Sequence, residues 1–194
     1  MNDDEIWRSV DEQRGKLADL IESLDARQLV APSLCEGWRV RDVAAHLTHS
    51  VMGPGPMLVA AVKSGFRFNP MIQRLGRDDS RPKEQIAAAL RAMIGSRKKV
   101  PGTSVQQPLI EVLTHGQDIT VPLGIDWPMP VDAAVEVANH LAGMRFPMNG
   151  TKRLAGLRLV ASDADLAVGQ GPEVRLPIRD IVMILAGRLD PPGA

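Results

Sequence analysis

Cysteine is almost missing from this chain, with Cys35 as its only example. One thiol cannot build an intramolecular disulfide framework, and a reducing compartment suits it best. Tyrosine is absent altogether, and three tryptophans and three phenylalanines make up all the aromatic surface. That is too little for a base-stacking nucleic-acid platform. Neither sign of charge is in excess: basic and acidic side chains number 23 each. The balance gives no field to attract nucleic acid or an anionic membrane. No apolar run approaches the ~20 residues that a membrane helix requires. Met1 to Glu5 is acidic and leads straight into an amphipathic pattern rather than a secretory apolar segment. A cytoplasmic protein is the expectation.

The chain has 194 residues, of which 44% are hydrophobic and 24% charged, an ordinary globular balance. That length suffices for one large domain, or one domain with an appendage, and for a core that needs no covalent staples.

Helical periodicity dominates the first two thirds. Ile6, Trp7, Val10, Leu17, Leu20, Ile21 and Leu24 predict a first helix over roughly 4–24, with Asp3 or Asp4 as its cap. Ala31-Pro32-Ser33 and Glu36-Gly37 read as a loop. A second helix starts near Trp38 or Val40 and presents Val43, Ala44, Leu47 and Val51 on one face. Met52-Gly53-Pro54-Gly55-Pro56 must break or kink it, and Met57 to Val62 resumes it. Residues 65–80 read as irregular, with a charged end at Arg77-Asp78-Asp79. Pro82 opens a third helix through Ile86, Leu90, Met93 and Ile94 to Gly95. The basic triplet Arg97-Lys98-Lys99 is read as solvating that helix end rather than as a phosphate site. Pro108 opens a fourth helix through Leu109, Leu113 and Ile119, stopped by Gly124. Four helices joined by short and medium loops predict a bundle over 1–125.

The texture changes after residue 125. Trp127-Pro128-Met129-Pro130 is linker-like, and Val131 to Met144 is helical. Leu157-Arg158-Leu159-Val160 alternates like a strand. A turn at Asp163-Ala164-Asp165 lets Leu166-Ala167-Val168 pair back as a hairpin. After a second turn at Gly169 to Pro172, Pro177 opens a last helix to Gly187. Residues 126–194 are therefore expected to form a small α+β portion, and the fold class is mainly α.

One constellation carries chemistry. Glu111 and His115 stand four residues apart on the fourth helix, one turn apart on one face. A carboxylate and an imidazole so spaced share a single ion in bundle metal sites. His46, on the flank of the second helix's apolar stripe, can reach the same point across a bundle core. Two histidines and one glutamate are the protein ligands of many catalytic zinc sites. Spacing alone leaves the plainer readings standing: a surface hydrogen bond for Glu111 and His115, and a satisfied core histidine for His46.

Resemblance sharpens this. Pro32-Ser33-Leu34-Cys35-Glu36-Gly37-Trp38-Arg39-Val40-Arg41-Asp42-Val43-Ala44-Ala45-His46-Leu47 resembles the leading motif of the mycothiol-dependent maleylpyruvate isomerase family. Glu111-Val112-Leu113-Thr114-His115-Gly116-Gln117-Asp118-Ile119, with Pro122-Leu123-Gly124, is similar to that family's second motif. Leu157 to Arg188 resembles its small C-terminal α+β portion. The resemblance implies a DinB-like four-helix bundle whose metal triad falls on His46, Glu111 and His115. It also implies a bound divalent ion, zinc by its ligands although nickel or iron tolerates them, and mycothiol as a thiol cofactor. The implied activity is an isomerase or an S-transferase acting on a small electrophilic, possibly carboxylated, substrate. Gln117 stands where relatives often place a tryptophan, and the C-terminal portion is short, so the substrate stays open.

Other residues are weighed beside the triad. His49 is a candidate fourth ligand or acid/base, against a merely solvated histidine. Asp118 is a candidate orienting carboxylate for His115, against a structural hydrogen bond. Arg188, and less so Arg175, are candidate partners for a substrate carboxylate, against a plain helix-end cation. Cys35, Asp42, Trp38 and His140 read as structural. Two competing functions share the composition: metal-assisted hydrolysis with water in place of the thiol, and a non-catalytic, metal-binding stress or interaction protein.

Overall fold

A computed structural model describes residues 1–49, 74–100, 102–144, 150–154 and 156–193. Its helices include α1 (Asp3–Ser23), α2 (Ala26–Val30), α3 (Val40–Leu47), α4 (Lys83–Ala92), α5 (Gln106–Thr120), α6 (Val131–Gly143), α7 (Gly150–Arg153) and α8 (Ile178–Leu185). Three strands complete it: β1 (Arg158–Ala161), β2 (Ala167–Gly169) and β3 (Glu173–Leu176). The fold is mainly α, with a helical bundle followed by a small α+β portion. The expected kink at 52–56 and its continuation to 62 lie outside the described residues. So does most of the stretch read as irregular, although residues 74–77 at its far end are helical.

The chain divides into two compact units, one of Trp7–Asp126 and one of Met1–Ile6 with Trp127–Ala194. In the first unit, Val10, Leu17 and Ile21 of α1, Val40, Val43 and Ala44 of α3, Ile86, Ala87 and Leu90 of α4, and Leu109, Ile110, Leu113 and Ile119 of α5 are all buried. Each set repeats at three or four residues, so each helix lays one apolar stripe into a common core. α3 packs most closely on α5, and also on α2 and α4.

Arg14 interrupts the apolar stripe of α1, yet it is 1% exposed. Its Nη1 donates to the carbonyls of Met93 at 2.7 Å and Ser96 at 3.1 Å, and it pairs with Asp11 at 3.2 Å. These contacts offset part of the cost of burying a guanidinium, although its buried Nε has no hydrogen-bond partner among the described residues. Its carbon also lies 5.8 Å from the Trp7 ring centre, and Arg97 lies 5.5 Å from the same ring. Arg97 of the basic triplet thus covers an indole instead of only solvating a helix end.

In the second unit, Ala133, Ala134, Val137, Ala138 and Leu141 of α6 and Ile181, Val182 and Leu185 of α8 are buried, and the two helices pack together. The sheet order is β2-β1-β3. β1 and β2 pair antiparallel with Leu159 opposite Val168, the expected hairpin. β3 is a strand where the sequence suggested only a turn and an approach to the last helix. It pairs parallel to β1, Leu159 opposite Val174. Its residues Glu173-Val174-Arg175-Leu176 alternate polar and apolar too briefly to stand out from the turn before it. α2 is likewise an addition to the sequence reading. Asp25 caps it by accepting from Gln28 N at 2.8 Å, while Gln28 Oε1 accepts from Asp25 N at 2.9 Å, the reciprocal box of a helix start.

Candidate metal centre

The long motif from Pro32 to Leu47 builds a tight loop and then a helix. Pro32 and Arg39 face each other across an antiparallel bridge. Ser33 Oγ donates to the Trp38 carbonyl at 2.9 Å and accepts from Cys35 N at 3.1 Å. Gly37 completes the turn with φ at 72°, a region that side chains disfavour. Arg77 Nη2 donates to its carbonyl at 2.8 Å. Asp42, 2% exposed, sits three residues into the start of α3 and accepts from Arg39 N at 2.9 Å. The same carboxylate takes Arg39 Nε at 3.0 Å and Nη2 at 2.9 Å. Arg39 and Asp42 therefore fix where α3 begins, and hence the direction in which His46 leaves it.

His46 projects from the last turn of α3 beside two rings. Its ring centre is 5.2 Å from that of Trp38 and 5.0 Å from that of His115, nearly perpendicular to the latter at 89°. Two imidazoles from α3 and α5 thus meet edge to face. Glu111 and His115 stand one turn apart on α5, as their spacing requires. Glu111 Oε1 accepts from Gln107 Nε2 at 3.3 Å. Burial pushes its carboxyl above the ordinary range, while the charges of His115 and Arg14 and the Gln107 hydrogen bond pull it back.

His115 Nδ1 donates to Asp118 Oδ2 at 2.8 Å. The three-residue spacing had paired these two residues, and Asp118 is fully buried. It leaves Nε2 as the ring's other nitrogen. Burial disfavours the charged ring, but the hydrogen bond it donates to Asp118 outweighs it, and Cys35 adds to the same effect. The imidazole pKa is pushed up to about 10. Cys35 lies against the same pair. Its thiol donates to Asp118 Oδ2 at 3.0 Å and lies 3.9 Å from His115 Nδ1. The loop is held there by a backbone bond from Leu34 N to the Asp118 carbonyl at 3.1 Å. Among the described residues, the acidic, histidine or cysteine group whose ligand atoms lie within 4.8 Å of one another is Cys35, His115 and Asp118. It shares His115 with the trio nominated by spacing.

His49 follows α3, with its ring centre 6.2 Å from that of His46. It is buried rather than solvated. Its Nε2 donates to Asp79 Oδ2 at 3.2 Å, while its Nδ1 is buried with no hydrogen-bond partner among the described residues. Burial lowers its pKa despite the hydrogen bond and charge of Asp79. Asp79 is itself gripped by Arg81, whose Nη2 reaches Oδ2 at 2.6 Å and Thr48 Oγ1 at 2.7 Å. The sequence showed Asp79 only as one end of a charged run. No spacing rule links it to His49, because the contact joins positions 30 apart.

Arg188 belongs to the other unit, just after α8. It is half-buried, and its Nη1 donates to the Ala186 carbonyl at 3.2 Å. Arg175 is exposed on β3, and His140 lies on α6.

Comparison with known proteins now bears on these features. Residues 10–99, which carry the loop, α3 and His46, match the family model described as the mycothiol maleylpyruvate isomerase N-terminal domain.

Residues 10–99 are thus similar to that domain family.

The chain's fold is also that of a solved structure, a histidine-to-alanine mutant of the mycothiol-dependent maleylpyruvate isomerase. That match covers 97% of this chain and 90% of the other, with a TM-score of 0.61 and 15% identity. No curated protein matches the sequence. The first motif lies within the residues that resemble that domain family, and the fold likeness extends over the rest of the chain. Among the described residues, no helix is long and apolar enough to cross a membrane.

Proposed function

We propose that this protein is a metal-dependent, mycothiol-dependent isomerase or S-transferase acting on a small electrophilic, carboxylated substrate. The observation that carries this reading is the meeting of His46 and His115, 5.0 Å between ring centres, inside a fold shared with a mycothiol-dependent isomerase. His46, Glu111 and His115 would hold the ion, and their two imidazoles and one carboxylate suit zinc. When bound, the metal would supply a thiolate at neutral pH, because a coordinated thiol loses its proton.

The chain's own residues account for the rest. Asp118 holds the proton on His115 Nδ1, so Nε2 is the nitrogen that would give up its proton to bind the ion. Glu111, half-buried, offers a carboxylate group one turn away on the same helix. His49, whose Nε2 is backed by Asp79, is suited to take the thiol proton on its buried Nδ1. Arg188, in the other unit, carries the planar guanidinium that suits a carboxylate. The sulfur would add to an activated double bond. In an isomerase the carbon–carbon bond then rotates and sulfur leaves again, and in a transferase the carbon–sulfur bond stays.

The test is metal analysis of the purified protein followed by a thiol-consumption assay with an electrophile. Bound metal with thiol-dependent turnover supports the proposal. Metal with hydrolysis and no thiol requirement replaces it with metal-assisted hydrolysis, and the absence of both activities leaves a binding protein. His115→Ala is expected to abolish metal binding with helical content retained by circular dichroism. Unaltered metal content in that variant removes the site assignment.

A further inference from the structure

The proposed reaction uses Asp118 only to hold His115, and it gives Cys35 no part at all. We propose that Cys35 Sγ, His115 Nδ1 and Asp118 Oδ2 form a second cation site, selective for a soft divalent ion such as zinc or cadmium. It uses the ring nitrogen opposite to the one assigned to the His46–Glu111–His115 site. The inference goes beyond that reading and does not require it.

The donor geometry carries the argument. The three edges of the triangle are 2.8 Å (Nδ1 to Oδ2), 3.0 Å (Sγ to Oδ2) and 3.9 Å (Sγ to Nδ1). Zinc–sulfur bonds of ~2.3 Å and zinc–nitrogen bonds of ~2.0 Å at tetrahedral angles separate neighbouring donors by roughly 3.3–3.5 Å. The observed edges bracket that range, so shifts of a few tenths of an ångström seat an ion. Both segments that supply the donors are fixed. Asp118 and His115 share α5, and the Leu34–Asp118 backbone bond ties the Cys35 loop to it. A thiolate beside an imidazole and a carboxylate favours zinc or cadmium over magnesium or calcium, which prefer all-oxygen shells.

Binding breaks the Cys35 S–H bond, forms a sulfur–metal bond and passes the thiol proton to solvent. The proton on His115 Nδ1 is displaced as well, which leaves a neutral ring protonated on Nε2. A neutral imidazole offers one lone pair, so the two sites compete for His115. An ion held by Cys35 disables the other site without touching His46 or Glu111.

Because Cys35 is the only cysteine, any thiolate–metal signal must come from it. The full chain, stripped of metal and kept in thiol-free buffer, is titrated with cadmium while thiolate-to-cadmium charge transfer is followed in the ultraviolet. His46→Ala disables the competing site and is the deciding sample. It should give a saturable charge-transfer band that disappears in His46→Ala/Cys35→Ser and weakens in His46→Ala/Asp118→Asn. Circular dichroism confirms that each variant is folded. A His46→Ala protein that shows no band overturns the proposal, as does a band indifferent to Asp118. Failure of the His46–Glu111–His115 reading is seen separately, as a zinc content that His46→Ala leaves unchanged.

Discussion

His115 and Asp118 are joined by a 2.8 Å hydrogen bond on consecutive turns of one helix, and the carboxylate is completely buried. A buried carboxylate that engages an imidazole sets the ring's tautomer and its rotation together. Such partners typically account for about 10–100-fold in metal affinity. Asp118→Asn keeps the shape but cannot stabilise the protonated Nδ1 in the same way. Zinc affinity measured by competition with a chromophoric chelator should fall within that range. Equal affinity in the two proteins would mean that the pair is only structural.

His49 supports a separate prediction. Its unpartnered Nδ1 and its link to Asp79 suit proton transfer rather than ion binding. His49→Phe should retain metal yet lower thiol-dependent turnover by about 10²–10⁴-fold, the usual contribution of a positioned acid/base. Metal analysis beside steady-state kinetics separates the roles, since loss of metal in this variant would make His49 a ligand.

Asp79 gives a pH dependence whose sign is definite. Burial raises its pKa, but the Arg81 side-chain and backbone hydrogen bonds and that from His49 overcome burial and hold it at about 2, against 3.8 for the free group. A carboxylate depressed in the folded state binds its proton more readily when unfolded. Its stabilisation is therefore complete above about pH 4 and is lost as pH falls toward 2. The gap corresponds to about 2 kcal/mol. Urea unfolding at pH 7 should show Asp79→Asn to be less stable by that order. The difference should shrink steadily as acid is added.

Gly37 makes a prediction about the loop. At φ 72° a β-carbon costs about 1–2 kcal/mol, and here it would also meet the Arg77 guanidinium. Gly37→Ala should destabilise by at least that amount in thermal or denaturant unfolding. Because the loop carries Cys35 and leads into α3, metal affinity should drop as well.

How much was legible in the sequence depended on the distance over which each signal acts. α1, α4, α5 and α6 were readable to within a few residues because burial repeats every three or four positions. The β1–β2 hairpin was equally plain, with turn residues between alternating runs. β3 was hidden by its brevity, and by a parallel pairing with β1 that leaves no turn signature next to it. α2 rests on a capping box that was overlooked between two stronger features. In the candidate site, Glu111, His115 and Asp118 were visible as one helical face. The pairs Cys35–Asp118 and His49–Asp79 were not, because each joins a loop to a distant element, and such contacts leave no local pattern. Arg14 escaped notice for the opposite reason: it occupies an apolar position, and only the carbonyls of Met93 and Ser96 explain its burial.

α5 runs unbroken from Gln106 to Thr120, so it acts as a ruler for the chemistry mounted on it. Each residue advances the helix by about 100°. One amino acid inserted between Glu111 and His115 would swing the two groups to different sides, whereas wholesale exchange of the neighbouring loops would leave their spacing intact. Descendants of this scaffold can therefore change what they act on far more easily than they can give up the face that Glu111, His115 and Asp118 share.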